Sequence, residues 1–206
     1  MNRILTGLVV VLISGCATAP LKSTLFEDVS NMTPQHDMDR FRVSSGLDLK
    51  HYDTLVIAPI ITKGMIKGPD LTDEDEQALI GKLEENFRIQ LARYFKSVIG
   101  EQETTPAENA LKLEVALTEL TPTDVAANLM WGFGVGNATA GIEGRFVDAK
   151  SGKELIAFAD RKKGSPFTKK EYNAGIKFPN WSKTRYLYLF TEIWAENVGN
   201  IVKSLK

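Results

Sequence analysis

Cysteine is almost absent from this chain: one occurs in 206 residues, beside only two histidines, His36 and His51. A single thiol excludes an internal disulfide framework and any cysteine-rich zinc site. Neither histidine has a carboxylate or serine at diagnostic local spacing, so no catalytic, metal or cofactor constellation is read here, although triad members need not be neighbours in sequence. Charge of one sign is also lacking, with 25 Lys and Arg against 26 Asp and Glu. No basic patch interleaved with aromatics appears, which argues against nucleic acid as a partner.

What is present begins with the first sixteen residues. Arg3 supplies a positive start, Ile4 to Ile13 is an almost unbroken apolar run, and Ser14-Gly15-Cys16 follows at once. That succession is the pattern of a secretory signal. About ten apolar residues are too few to cross roughly 30 Å of hydrocarbon as a helix. Ile13-Ser14-Gly15-Cys16 resembles the lipobox of bacterial lipoproteins. The resemblance implies cleavage before Cys16, a diacylglycerol on its thiol, and anchoring of the mature chain by two or three acyl chains. Each buried methylene contributes about 0.8 kcal/mol to such an anchor. Ala17, in place of the aspartate that favours inner-membrane retention in enteric bacteria, implies a periplasm-facing position on the outer membrane. The mature chain would lose one basic residue, Arg3, and no acidic one, moving the net charge from −1 to about −2.

The expected organisation is a removed signal over 1–15, a lipidated tether with a docked, partly extended arm over 16–50, and one domain over 51–206. Leu25-Phe26 and Phe41 with Val43 are apolar enough for the arm to pack on that domain. Fully extended, some 33 residues would reach on the order of 110 Å.

Thr54 to Ile61 is β-branched and apolar without clean alternation, which predicts a strand buried on both faces. Thr72 to about Ser97 predicts a helix, with Thr72 and Asp75 as a capping box and Leu79, Leu83, Phe87 and Leu91 as an apolar stripe. Asp73-Glu74-Asp75-Glu76 lacks the glycine and distal glutamate of an EF-hand loop, so it reads as negative charge on the helix N-terminus. Leu111 to Leu120 alternates as a half-buried strand. Ile142 to Asp160 reads as a hairpin turning at Asp148 to Lys153, with Gly152 placed for a positive φ. A last helix is expected from about Trp181 or Ser182 to Leu205, its stripe Leu187, Phe190, Trp194, Val198 and Ile201. Trp181, Trp194, Tyr186 and Tyr188 would also make a sugar-stacking platform, but aromatics at helical spacing are more often core.

The order of elements predicts an α+β fold: a small mixed or antiparallel sheet with two long helices packed on one face, preceded by an irregular tether. This arrangement looks like the periplasmic domains of several envelope lipoproteins, whose core resembles an anticodon-binding-type fold. The chain also resembles a family of uncharacterised bacterial lipoproteins. The passages that carry this resemblance are Leu25-Phe26-Glu27-Asp28, Tyr52-Asp53 leading into Val56-Ile57-Ala58-Pro59, Asp148 to Glu154 with Asp160-Arg161, and the tryptophan-bearing last helix. Val29 and Ala149 depart from that family's pattern.

Val125 to Ile142 carries no charge over 18 residues, bracketed by Asp124 and Glu143, and Gly132, Gly136, Ala140 and Gly144 fall four apart. Small residues at that spacing let helices approach closely in membranes. Four glycines within the window favour instead a glycine-rich loop running into the hairpin. The function expected is a lipid-anchored interaction or accessory module that meets an envelope protein through a sheet edge or this loop. The alternatives are an oligomeric or membrane-inserting lipoprotein using residues 125–147, and a periplasmic enzyme.

Overall fold

The computed structural model describes residues 23–102, 108–124, 137–164 and 184–206. Eight strands and two helices follow in the order β1 (Thr33–Gln35), β2 (Met38–Val43), β3 (Thr54–Ile57), β4 (Ile66–Lys67), α1 (Asp73–Leu91), β5 (Ser97–Gly100), β6 (Ala110–Thr121), β7 (Ala138–Asp148), β8 (Glu154–Gly164) and α2 (Arg185–Leu205). The strands form one sheet in the order β1-β2-β8-β7-β6-β3-β5, with β4 joining β6. The α+β class and the mixed sheet are therefore as expected. The sheet is larger than the small one expected, because four short strands escaped the sequence reading.

Two of these are β1 and β2, which lie inside the stretch read as an arm. β2 pairs antiparallel with β8, Phe41 opposite Phe158, so the arm is part of the sheet rather than a segment laid against it. The turn between β1 and β2 places His36 and Asp37 at φ 55° and 58°. A two-residue hairpin turn of the I′ kind requires the left-handed region at both central positions, and Asp and His tolerate it better than most residues. The other two are β4, two residues beside β6, and β5, which pairs parallel with β3. Helix α1 ends at Leu91, earlier than the apolar spacing predicts, because the chain must turn back to deliver β5 beside β3. Phe95 keeps the periodicity going by packing into the same core from the turn.

β3 lies between two parallel neighbours, β5 and β6, and its Leu55, Val56 and Ile57 are all buried. That is the environment its continuous apolar run predicted. Thr72 Oγ1 accepts from Asp75 N at 3.1 Å and Asp75 Oδ2 accepts from Thr72 N at 3.3 Å, completing the capping box. Lys67 pairs with Asp73 and, at 3.0 Å, with Glu76, so the acidic first turn is occupied by a lysine. The β7–β8 hairpin turns where expected, with Gly152 at φ 70°.

The two helices touch through Asn86 Nδ2, which donates to Thr191 Oγ1 at 2.9 Å. Leu79, Leu83, Phe87 and Leu91 of α1 and Leu187, Phe190, Trp194, Val198 and Ile201 of α2 share one core with Leu111, Leu113, Val115 and Leu117 of β6 and Ala138, Ala140, Ile142 and Phe146 of β7. Trp194 is wholly buried there, which removes it from any sugar platform. Trp181 lies outside the described residues.

Residues 138–148 form strand β7, hydrogen-bonded to β6 on one side and β8 on the other. The helical small-residue reading of 125–147 is thus corrected for this part, since Ala140 and Gly144 sit on one face of a strand. Residues 125–136, with Gly132 and Gly136, lie outside the described residues. Gly144 has its own reason: a Cβ there would meet the Phe158 ring at 2.2 Å. A Cβ on Gly81, by contrast, would meet nothing within 4 Å. Gly144→Ala is expected to cost about 1–3 kcal/mol by overpacking, whereas Gly81→Ala, inside α1, is expected to stabilise by about 0.5–1 kcal/mol. Denaturant melts of the two variants check the pair, and equal effects would refute the packing argument.

Candidate functional site

Strand geometry divides β7 cleanly. Its even-numbered residues feed the core, so Thr139, Gly141, Glu143, Arg145 and Val147 project from the opposite, outer face. The register sets what stands beside them. Glu143 lies between Ala116 of β6 and Ala159 of β8, and Arg145 lies between Glu114 and Ala157. Ala157 and Ala159 have side chains too short to fill this face, and they leave a trough beside Glu143.

The N-terminal segment occupies that trough. Phe26 and Met32 are buried against Ala157, with Leu25 and Val29 partly buried around them, forming a small apolar cluster separate from the main core. Glu143, 5% exposed, closes one end of the trough. Its Oε2 accepts from Ser23 Oγ at 3.0 Å, Thr24 N at 2.8 Å and Leu25 N at 3.1 Å. Ser23 Oγ also accepts from Phe26 N at 2.8 Å. A buried carboxylate needs such donors, and hydrogen bonds to a charged group are the stronger kind.

Two further acids on the outer face, Glu119 and Glu114, are held by cations. Arg161 reaches across β7 at Gly141 to grip Glu119 through Nε at 2.8 Å and Nη2 at 3.2 Å. Glu119, Gly141 and Arg161 are in register across the three strands, and a Cβ on Gly141 would meet Thr118 Oγ1 at 2.3 Å. Lys112 and Arg145 both bind Glu114, at 2.6 and 2.7 Å. Burial pushes the Glu114 carboxyl up, but these partners outweigh it and hold it below the ordinary glutamate range.

A second carboxylate fixes the arm on the core side. Asp160 of β8 accepts from Trp194 Nε1 at 2.7 Å, from Asp39 N at 3.3 Å and from Lys162 Nζ at 2.9 Å. Asp39 returns a bond by accepting from Arg161 N at 3.0 Å. The Asp37 carbonyl, in the left-handed turn, accepts from Lys162 Nζ at 3.1 Å and Asn197 Nδ2 at 3.2 Å. Asp160 therefore ties β2 and β8 to α2. The Tyr52 hydroxyl donates to Asp148 at 2.9 Å, and burial first, then Asp148, pushes its pKa up to about 12.

Neither Glu143 nor Asp160 was singled out as a site from sequence, and Glu143 had served only to bound the uncharged window. The usable signal was an acid inside an apolar strand, Ile142-Glu143-Gly144, which is rare unless the charge has dedicated partners. Cys16, the lipid site expected from sequence, lies outside the described residues, as does the signal. His36 stacks edge-on against Phe41 at 4.9 Å, and His51 lies against Tyr52 at 4.2 Å. Among the described residues, no three His, Cys, Asp or Glu side chains gather to hold a metal, and no helix is long and apolar enough to cross a membrane.

A family model described as a protein of unknown function (DUF3313) matches residues 22–178, and the chain belongs to that family. No curated protein matches it. Among solved structures it is similar to the PelC dodecamer from Paraburkholderia phytofirmans, with 10% identity over 76% of this chain and 95% of that one and a TM-score of 0.45. It is also similar to the hypothetical protein CT253 from Chlamydia trachomatis, with 13% identity, coverages of 73% and 96%, and a TM-score of 0.43. Lipoprotein GNA1162 from Neisseria meningitidis shows 13% identity, coverages of 71% and 98%, and a TM-score of 0.39. Likeness this distant assigns no activity.

Burial raises the Asp160 pKa above the ordinary aspartate value, against the opposing bonds from Lys162 and Trp194. The folded chain therefore holds this proton more tightly than the unfolded one. Its favourable contribution is complete below the ordinary aspartate pKa and is lost as pH rises through the raised value. Asp160→Asn, which keeps an acceptor for Trp194, is expected to flatten that part of the stability profile. Urea melts across a pH series read it, and an unchanged slope would refute the assignment.

Proposed function

We propose that this chain is a bacterial lipoprotein, acylated at Cys16 and held on the periplasmic side of the outer membrane, whose body is an interaction or accessory module for another envelope protein. The two helices cover one face of the sheet and the N-terminal segment covers part of the other. The reading assigns no catalytic step, cofactor or nucleic acid. Its anchor is the acyl chains alone, since a mature charge of about −2 gives the body no attraction to an anionic surface.

The observation that carries it is the placement of the segment just after the lipobox. A signal with its single cysteine is followed within seven residues by Ser23, whose hydroxyl is already bound to Glu143 in the outer-face trough. Seven residues span at most about 25 Å. The long leash of roughly 110 Å expected from sequence shrinks accordingly, and the docked segment favours the outer face as the side nearer the anchor. The outer face, with its paired charges, is turned toward the lipid, and the helices are turned toward the periplasm. Partner contact is assigned to the side away from the membrane.

Cells grown with an alkyne-bearing fatty acid give the test. Wild-type protein is expected to take up the label and fractionate with outer membranes, while Cys16→Ser takes up none and leaves the membrane fraction. Label retained in Cys16→Ser, or an unlabelled wild type, would end the proposal.

A further inference from the structure

The segment from Ser23 to Met32 differs in its attachment from everything that follows it. From Thr33 onward the chain is held by strand pairing and by the Asp160 cluster. Before Thr33 it is held by one carboxylate and a small satellite cluster in which only Phe26 and Met32 of the segment are fully buried. Asn31 Oδ1 accepts from Arg42 at the boundary between the two regimes. Contacts of the first kind are shared with the global core, whereas those of the second can be lost locally, because they are few and include no strand pairing, Asn31 touching β2 only through the Arg42 side chain.

We propose that residues 23–32 are a releasable strap that sets how far the body stands from its lipid anchor. This rests on the lipoprotein reading above. Closed, the strap leaves seven residues between Cys16 and the body, a reach of about 25 Å. Open, the fixed point moves to Thr33 and the leash becomes seventeen residues, a reach of about 60 Å. The sheet survives the change, because β1 and β2 keep their own pairings. Opening also uncovers the trough formed by Ala157, Ala159 and Glu143, so one event both lengthens the reach and bares a surface that accepts backbone N–H groups and apolar side chains. A partner that pulls on the body drives the opening.

Two variants weaken the strap from opposite sides: Glu143→Ala removes the acceptor, and Phe26→Ser removes the largest buried side chain of the segment. The lipidated full-length mature protein is placed in vesicles of phosphatidylethanolamine and phosphatidylglycerol. Amide exchange is measured at Thr24, Leu25 and Phe26, and energy transfer is measured from a dye at Lys153→Cys to labelled headgroups. Each variant is expected to speed exchange at those three amides by about tenfold or more. Exchange in β2 and β8 should remain at the wild-type rate, and the dye should move away from the membrane. Unchanged exchange at the three amides overturns the strap. So does loss of protection that spreads through β2 and β8, because segment and sheet would then open as one unit. If the wild-type chain does not associate with vesicles, the lipoprotein reading fails, and the exchange measurement on the same chain still decides whether the segment opens by itself.

Discussion

A carboxylate in the middle strand of an eight-stranded sheet has to be satisfied, and much of this molecule is arranged around that requirement. Glu143 sits on β7 with strands on both sides, so its neighbours within the sheet are the short side chains of Ala116 and Ala159. Neither offers a donor. The donors come from the N-terminal segment, as two backbone N–H groups and a serine hydroxyl. An unpaired charge at such a depth would cost several kcal/mol. Docking the segment therefore satisfies the glutamate, and the glutamate fixes where the segment lies.

Small residues make this possible, and each does so for a local reason. Ala157 and Ala159 open the trough. Gly141 leaves room for the Thr118 hydroxyl beside the Arg161–Glu119 pair. Gly144, on the other face, admits the Phe158 ring into the core. In sequence Ala140 and Gly144 look like part of a stripe at helical spacing. In the sheet they share one face of β7, because the period of four is a multiple of the strand period of two. The same numerical pattern thus arises from strand packing, and it distinguishes nothing until the hydrogen-bond partners of the segment are known.

Local signals were legible in the sequence and long-range ones were not. Thr72 with Asp75, Gly152 in its turn, and the stripe from Leu187 to Ile201 each encode structure through neighbours within a few residues, and each stands where expected. Strands β1, β2 and β5 are three to six residues long; β2 and β5 are strands because of partners far away in the chain, and β1 only because β2 stands across a two-residue turn. For β2 that partner is β8, more than a hundred residues on. The end of α1 was misjudged because Phe95 satisfies a helical period from a turn. The passages carrying the family resemblance fare better in space than in line. Tyr52 meets Asp148, and Asp160 meets Trp194, so motifs that looked short and separate are halves of two contacts. The trough was illegible because alanine in a strand gives no sign that something else fills the space above it.

Two acids, on opposite faces, divide the arm into parts of unequal security. Asp160 binds where β2 already has a full set of strand hydrogen bonds and where Trp194 and Asn197 of α2 add their own, so that contact opens only with the core. Glu143 binds where the chain has no strand partner and the apolar cover is two side chains deep. If the chain is tied to a membrane at Cys16, tension on the tether is felt first at Ser23, the weaker of the two attachments and the one nearer the anchor. A load from the membrane side therefore meets the contacts in order of increasing strength, and the sheet is reached only after the segment over Glu143 has given way.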